Sequence, residues 1–501
     1  MKLLSTLSVL AITFLITTVH AYSEVTLPKV FSSHMVLQRD MPIHIWGDAA
    51  PGEQVTADLH GASNTATTNN LGRWSLYLPA QSVGGPFTLT IHGTNTVELE
   101  DILIGDLWIA SGQSNMEMPL AGFPGSAVIK DADKEIAAAN YPQIRLFLVE
   151  KDSSDYPLED VKAATGWSQC TPETAKSFSA VAYFFARALQ QKEKVPIGLV
   201  DTTWGGTPAE AWTSLDALGA DASLMPVFSA RAEMTDHEST EQRADLADKQ
   251  AKAEGKPLIP GRSWHPNPVS WRPAALYNAM IAPFTPLPIR GVIWYQGEAN
   301  SALDRAPLYS RLFPAMIQDW RNQWRQGNFP FLFAQISAFG SSDREDWGLL
   351  RDAQRRTLHL VDTGMAVTID IGDEHNVHPS DKQTVGDRLS LLARNISYGE
   401  TLVASGPLFR LAYPDHGAMH VWFTNASGLK ASGAVQGFEV AGPDGKFVPA
   451  TAKIEGDTII ATSPTIPDPR YVRYAWPNFP TANLFNGAGL PASTFTSYLV
   501  P

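Results

Sequence analysis

Six short apolar runs, alternating with helical stretches through the middle of the chain, constrain its fold more than any other feature. They lie at 107–110, 144–149, 197–200, 291–295, 331–335 and 366–369. A strand with one wet face alternates apolar and polar residues, whereas a strand covered on both faces reads as a near-continuous apolar run. Runs of this kind predict a parallel sheet layered with helices. Two helices are well marked. Leu308, Leu312, Met316, Trp320 and Trp324 recur every fourth residue, with Pro314 expected to bend their helix. Val385, Leu389, Leu392 and Ile396 line another, with Ser380 expected as its cap and Gln383 as the second half of a capping box. The fold class is therefore α/β, a doubly wound parallel sheet over about 101–400.

The flanks differ. Between 22 and 100, short β-prone segments at 36–38, 43–46, 55–57, 74–77 and 87–91 are mostly separated by Gly or Pro, which predicts a β-sandwich. β character returns after Gly399, at 419–424, 437–440 and 458–461, so 401–501 is expected to form a C-terminal β domain packed against the N-terminal one. From Leu215 to about Arg262 the chain is polar and rich in Ala, Glu and Asp, and reads as an exposed helical excursion. Lys2, the apolar stretch 7–16 and Val19-His20-Ala21 have the form of a cleavable secretion signal over 1–21. The apolar stretch is too short to span a bilayer comfortably. The mature chain is expected to start near Tyr22 and to work in the periplasm or outside the cell, free of the membrane.

At 501 residues the chain exceeds one ordinary core, in keeping with several domains. Its formal charge of −13 opposes nucleic acid or an anionic membrane surface as partner and leaves neutral ligands such as sugars open. Cys170 is the only cysteine, so it forms no internal disulfide, and it reads as a small buried apolar residue.

In open α/β sheets, ligands collect at the carboxyl ends of the strands. Four of the six runs end in polar or glycine-rich sequence. After the first comes Ser111-Gly112-Gln113-Ser114-Asn115-Met116, where Gly112 permits a tight turn and Ser114 stands free to attack. The third leads to Asp201-Thr202-Thr203-Trp204-Gly205-Gly206-Thr207 and the fourth to Gln296-Gly297-Glu298-Ala299-Asn300. The sixth leads to Asp370-Ile371-Gly372-Asp373-Glu374-His375-Asn376-Val377-His378-Pro379. Ester hydrolysis by a serine needs a base, a group that orients the base, and donors for the oxyanion. His378 is the expected base. Asp373 or Asp370 would hold its imidazole. The backbone N–H groups of Ser114 and Gly205 and the side-chain amide of Gln296 are the expected oxyanion donors, each typically worth about 3 kcal/mol in a transition state. Gln113, Glu298 and Asn300 are candidates for substrate binding. Glu117, His375 and His265 receive no chemical role, and Trp108, Trp204 and Trp294 read as core rather than sugar platforms.

Taken together, these blocks resemble the sialate O-acetylesterase family within the SGNH or GDSL-like hydrolases. The resemblance rests on 112–116, on Trp294-Tyr295-Gln296-Gly297-Glu298-Ala299-Asn300, and on His378-Pro379 with Lys382. Segments 178–185, 276–281, 483–486 and 489–492 extend it over nearly the whole mature chain. It implies an SGNH-like catalytic domain and an esterase without cofactor or metal that removes O-acetyl groups from sugars, with Ser114 as nucleophile and His378 as base. SGNH enzymes commonly place an Asp three residues before this His, and here that position is His375. Asp373 is therefore the first choice of orienter and Asp370 the second, with a backbone carbonyl as the remaining option. Met116 stands where a Gly-x-Ser-x-Gly elbow needs its second Gly, so the α/β-hydrolase family does not fit. The natural sugar stays open between sialic acid and plant glycans such as xylan or xyloglucan. Two readings of other classes compete: a metallohydrolase whose ligands are Asp370, Asp373, His375 and His378, and a non-catalytic glycan-binding protein.

Overall fold

The apolar runs become six strands: β1 (Thr96–Gly112), β2 (Tyr141–Leu148), β3 (Ile197–Thr203), β4 (Gly291–Tyr295), β5 (Phe331–Ala334) and β6 (Thr363–Ala366). This computed structural model describes residues 24–498 except 126, 164, 230–248, 251 and 256–267. The expected secretion signal, His265 and most of the polar excursion lie outside the described residues; the start of that excursion is helical at Leu215–Ala220.

All six strands run parallel, in the spatial order β6-β5-β4-β1-β3-β2, with Ser168–Cys170 antiparallel at the β2 edge. Every residue of β3, β4 and β5 is buried, so both faces of the sheet are covered. The covering helices include α1 (Ala180–Glu193), α2 (Ala306–Trp324), α3 (Trp347–Arg356) and α4 (Lys382–Ile396). α1 packs against α4 and α2 against α3. A Cβ on Gly386 would lie 2.6 Å from Phe184 Cβ, which is why α1 and α4 can approach so closely there. The spatial order places β1 between β3 and β4, so the chain runs to opposite sides of β1, opening a crevice at its carboxyl end.

Several expectations need correcting. β6 lies three residues before the apolar run at 366–369, because Thr363 and Gly364 pair with β5 while Ile369–Ile371 leaves the sheet as a 3-10 turn. Asp381, not Ser380, caps α4, its carboxylate accepting from the Thr384 N–H at 3.0 Å. The expected Ser380–Gln383 capping box is absent. Pro314 sits inside one continuous helix.

In the N-terminal region Ile43–Asp48 pairs with Arg73–Leu78, and Gln54–Leu59 pairs with both Ala62–Thr67 and Gly84–His92. The strand Ala62–Thr67 has no apolar run, being largely exposed, and had no signal in the sequence. β1 is 17 residues long and pairs with Gly84–His92 through its first half, so the expected boundary at 100 falls inside a strand. After α4 come two four-stranded antiparallel sheets. The sheet that ends in Phe495–Thr496 docks on α3. Arg351 of α3 is fully buried and donates to Thr494 Oγ1 at 2.9 Å and to the carbonyls of Ala475 and Pro477 at 3.0 and 2.6 Å. Cys170 is buried, and burial pushes its thiol up to about 12. Among the described residues no helix is long and apolar enough to cross a membrane.

Candidate active site

Gly112 ends β1 between two strand ends, with Thr203 as its partner on β3 and Tyr295 on β4. Its φ is +138°, and a Cβ there would lie 2.2 Å from the Tyr295 carbonyl oxygen. Only glycine can bring the chain that close. Gln113 N–H then donates to the Tyr295 carbonyl at 3.0 Å, and Ser114 opens a one-turn helix, Ser114–Glu117.

His378 Nε2 lies 2.9 Å from Ser114 Oγ across 264 positions of chain. Both groups face a cavity of about 570 Å³ that Phe123, Gly205, Trp271 and Glu298 also line. The Phe123 ring meets the imidazole edge-on at 5.4 Å. Burial, reinforced by the positive charge of Lys382, lowers the His378 pKa from 6.5 to about 4. The ring is therefore neutral at ordinary pH and has a lone pair for the serine proton.

Neither expected carboxylate reaches that ring. Asp370 is taken by Arg388 in a two-pronged ion pair, with both oxygens 2.6 Å from guanidinium nitrogens. Asp373 Oδ1 accepts from the backbone N–H groups of His375 and Asn376 at 2.8 and 3.1 Å, so it folds the loop instead. Among the described residues no carboxylate pairs with His378. What fixes the histidine loop is Asn115. Its Nδ2 donates to the Val377 carbonyl at 3.0 Å and to Glu298 Oε1 at 2.5 Å, and its Oδ1 accepts from the buried Lys382 ammonium. Burial lowers Lys382 to about 7 despite the nearby Glu298 carboxylate, and burial raises Glu298.

The other expected site residues divide sharply. Gly205 lies against Ser114: a Cβ on it would be 3.2 Å from Ser114 Cβ. Its N–H donates to a Glu117 oxygen. Gln296 is fully buried and already committed, giving its amide to Asn300 Oδ1 at 2.7 Å and the Thr207 carbonyl at 3.2 Å while accepting from Tyr309 at 3.0 Å. It is not a free oxyanion donor. Asn300 donates to Glu210 at 2.9 Å and lines a neighbouring cavity of about 190 Å³, so it supports the site from behind. Gln113 lines the main cavity, but its Oε1 accepts from Gly297 N–H and Ala299 N–H at 3.3 and 3.1 Å, bracing that loop. Glu298 faces the same cavity with one oxygen, Oε2, buried and without a hydrogen-bond partner. Trp108 and Trp294 are fully buried, while Trp204 is half-buried with the Lys151 ammonium 5.9 Å over its ring. The alternative metal set is not assembled, and among the described residues no group of three or more His, Cys, Asp or Glu is placed to hold a metal ion.

The mouse sialate O-acetylesterase is 32% identical over 416 residues, covering 75% of this chain and 74% of the mouse protein. The chain belongs to the sialate O-acetylesterase family. The human sialate O-acetylesterase is likewise 32% identical over 75% of this chain and 72% of its own length. Residues 255–392 match the family model described as carbohydrate esterase, sialic acid-specific acetylesterase. The crystal structure of a carbohydrate acetylesterase from Xanthomonas citri superposes with a TM-score of 0.82 at 37% identity, covering 95% of this chain and 100% of that one. The protein is thus a carboxylic ester hydrolase, a carbohydrate O-acetylesterase.

Sequence reasoning missed several residues of this candidate site. Asn115 and Lys382 sit in the family blocks, next to Ser114 and four positions after His378, and that adjacency was the available signal. Glu117, given no chemical role and expected to be solvated or hydrogen-bonded, lines the cavity and binds both Gly205 and Lys151. Lys151, Trp271 and Arg305 line it too, from segments with no distinguishing pattern.

Proposed function

We propose that the esterase works through an acetyl-serine intermediate on Ser114. His378 takes the Ser114 proton as Oγ attacks the acetyl carbonyl, and the N–H groups of Ser114 and Gly205 bind the oxyanion. Collapse of the tetrahedral intermediate expels the sugar hydroxyl, which receives the proton from His378. Water activated by the same imidazole then releases acetate. Asn115 and Lys382 act as positioning residues in place of an orienting carboxylate. The observation that carries the reading is the 2.9 Å contact between His378 Nε2 and Ser114 Oγ at the wall of a sugar-sized cavity. Ser114→Ala tests it: acetate release from a nitrophenyl acetate is expected to fall about 10⁴-fold or more with the thermal midpoint unchanged. Near-normal turnover would reject it.

For the sugar, the charges lining the cavity favour a neutral glycan over sialate. Both cations that line it are already paired, Lys151 with Glu117 and Arg305 with Glu210, and the Glu345 carboxylate lines it as well. A sialate carboxylate would meet no unpaired cation among the described lining residues. The Trp271 ring adds an apolar wall of the kind a sugar face packs on, with the Arg305 guanidinium 4.4 Å from its centre. Acetate release from acetylated xylan or xyloglucan oligosaccharides is expected to exceed that from acetylated sialic acid. The reverse order would overturn this preference and leave the acyl-serine mechanism standing. On the same reading the parallel sheet is an SGNH-like catalytic unit that shares β1 with the N-terminal β unit and is followed by a β unit over 401–501. The first 21 residues are then a secretion signal and the enzyme acts in the periplasm or outside the cell.

A further inference from the structure

Glu117 follows Ser114 by three residues, so the one-turn helix brings its side chain back over the crevice. One carboxylate oxygen, Oε2, accepts the Gly205 N–H, and the other, Oε1, lies 2.6 Å from Lys151 Nζ. The Gly205 N–H is a donor an oxyanion on Ser114 would need, since Gly205 lies against that side chain. A negatively charged oxygen therefore already sits where negative charge must develop during the reaction. The Glu117 side chain is 21% exposed and Lys151 44% exposed, so the pair borders open cavity and has room to move aside.

We infer that Glu117 is a built-in occupant of the oxyanion hole, an internal anion that the reacting acetyl group must displace from Gly205, with Lys151 holding the carboxylate when it moves away. The inference rests on Ser114 being the nucleophile. It differs from a plain bracing role, in which the Glu117 carboxylate keeps the Gly205 loop in shape and its loss would weaken the hole. The two roles predict opposite signs for the affinity of an anion in the hole.

Methylboronic acid is the probe. Ser114 Oγ adds to boron, the proton passes to His378, and the resulting tetrahedral borate carries its negative charge toward Gly205 with no leaving group. In Glu117→Ala the inhibition constant is expected to fall about tenfold, because the borate no longer competes with a carboxylate for a donor of this strength. Glu117→Gln, which keeps the side-chain volume, is expected to shift the same way by less and serves if the alanine variant does not fold. Removing Glu117 also leaves Lys151 unpaired, which by itself would attract an anion. The double variant Glu117→Ala with Lys151→Ala removes that attraction, and the tightening should persist in it. An inhibition constant that is unchanged or higher in the single variants, or a tightening that vanishes in the double variant, overturns the inference. The outcomes separate from failure of the underlying reading. A wild-type enzyme that forms no Ser114 adduct, together with an active Ser114→Ala variant, sinks the serine mechanism. Adducts of equal affinity in every variant sink only the role of Glu117.

Discussion

The loop that carries Ser114 leaves the middle of the sheet and is gripped by backbone, with Gln113 N–H on the Tyr295 carbonyl and Trp204 N–H on the Gly112 carbonyl. The loop that carries His378 leaves β6 at the edge of the sheet and is held chiefly by side chains. Arg388 fastens Asp370, the Asn376 side chain caps the His378 N–H at 2.9 Å, and Asn115 fastens the Val377 carbonyl. Backbone pairing tolerates many side chains but no Cβ at Gly112. Side-chain pinning tolerates backbone change but depends on particular functional groups. The two halves of the proposed reaction centre should therefore fail in different ways when mutated.

Gly112→Ala attacks the backbone grip and has the largest expected effect. The 2.2 Å clash and the positive φ should cost about 2–4 kcal/mol of stability and remove most activity, read from a denaturation midpoint together with acetate release. A fully stable, active variant would show that the grip is dispensable. Asn115→Ala attacks the side-chain grip. It should lower kcat about 10- to 100-fold with KM little changed, as expected when reacting groups lose alignment. It also leaves Lys382 and Glu298 without their shared partner, at about 1–3 kcal/mol of stability.

The pH profile sharpens the comparison further. His378 must be neutral to accept a proton, and its pKa is lowered to about 4, so the acid limb of kcat/KM should lie near pH 4 rather than near 6.5. Lys382 is fully charged at that pH and opposes a second positive charge on the ring. Lys382→Met removes the repulsion, so the limb should move to higher pH; a limb that stays put would show that burial alone sets the pKa. Asp373→Ala should change kcat by about twofold or less, because its carboxylate shapes the loop from a distance and touches no reacting atom. A loss comparable to that in Asn115→Ala would restore Asp373 as the orienting group.

Much of the frame was legible. Five of the six apolar runs fall inside or within one residue of their strands, because residues buried on both faces must be apolar regardless of what lies beside them. The sixth slipped because a short edge strand can be built from Thr and Gly, whose polarity and size hide it. Ala62–Thr67 was invisible for a related reason: exposed strands need no apolar residues. Within the candidate site, Ser114 and His378 could be proposed as nucleophile and base, since few residue types perform the proposed chemistry, and the fold brings them within 2.9 Å. Gln296, Asn300 and the two aspartates could not be assigned, because each is equally plausible as a catalytic or a supporting group until its partner is known.

The partners of Gln296 and Asp370 lie 4 to 89 positions away. Arg388, 18 positions after Asp370, removes that carboxylate from the reaction, and Tyr309 and Asn300 take up the amide of Gln296. The order of apolar runs, the tight turn at Gly112 and the positions of the proposed nucleophile and base are local properties, so the amino-acid string alone determined them. Which polar groups face the cavity and which are spent beneath it depends on packing between elements hundreds of residues apart. Burial makes every buried polar group seek a partner, and only the folded chain decides which one it finds.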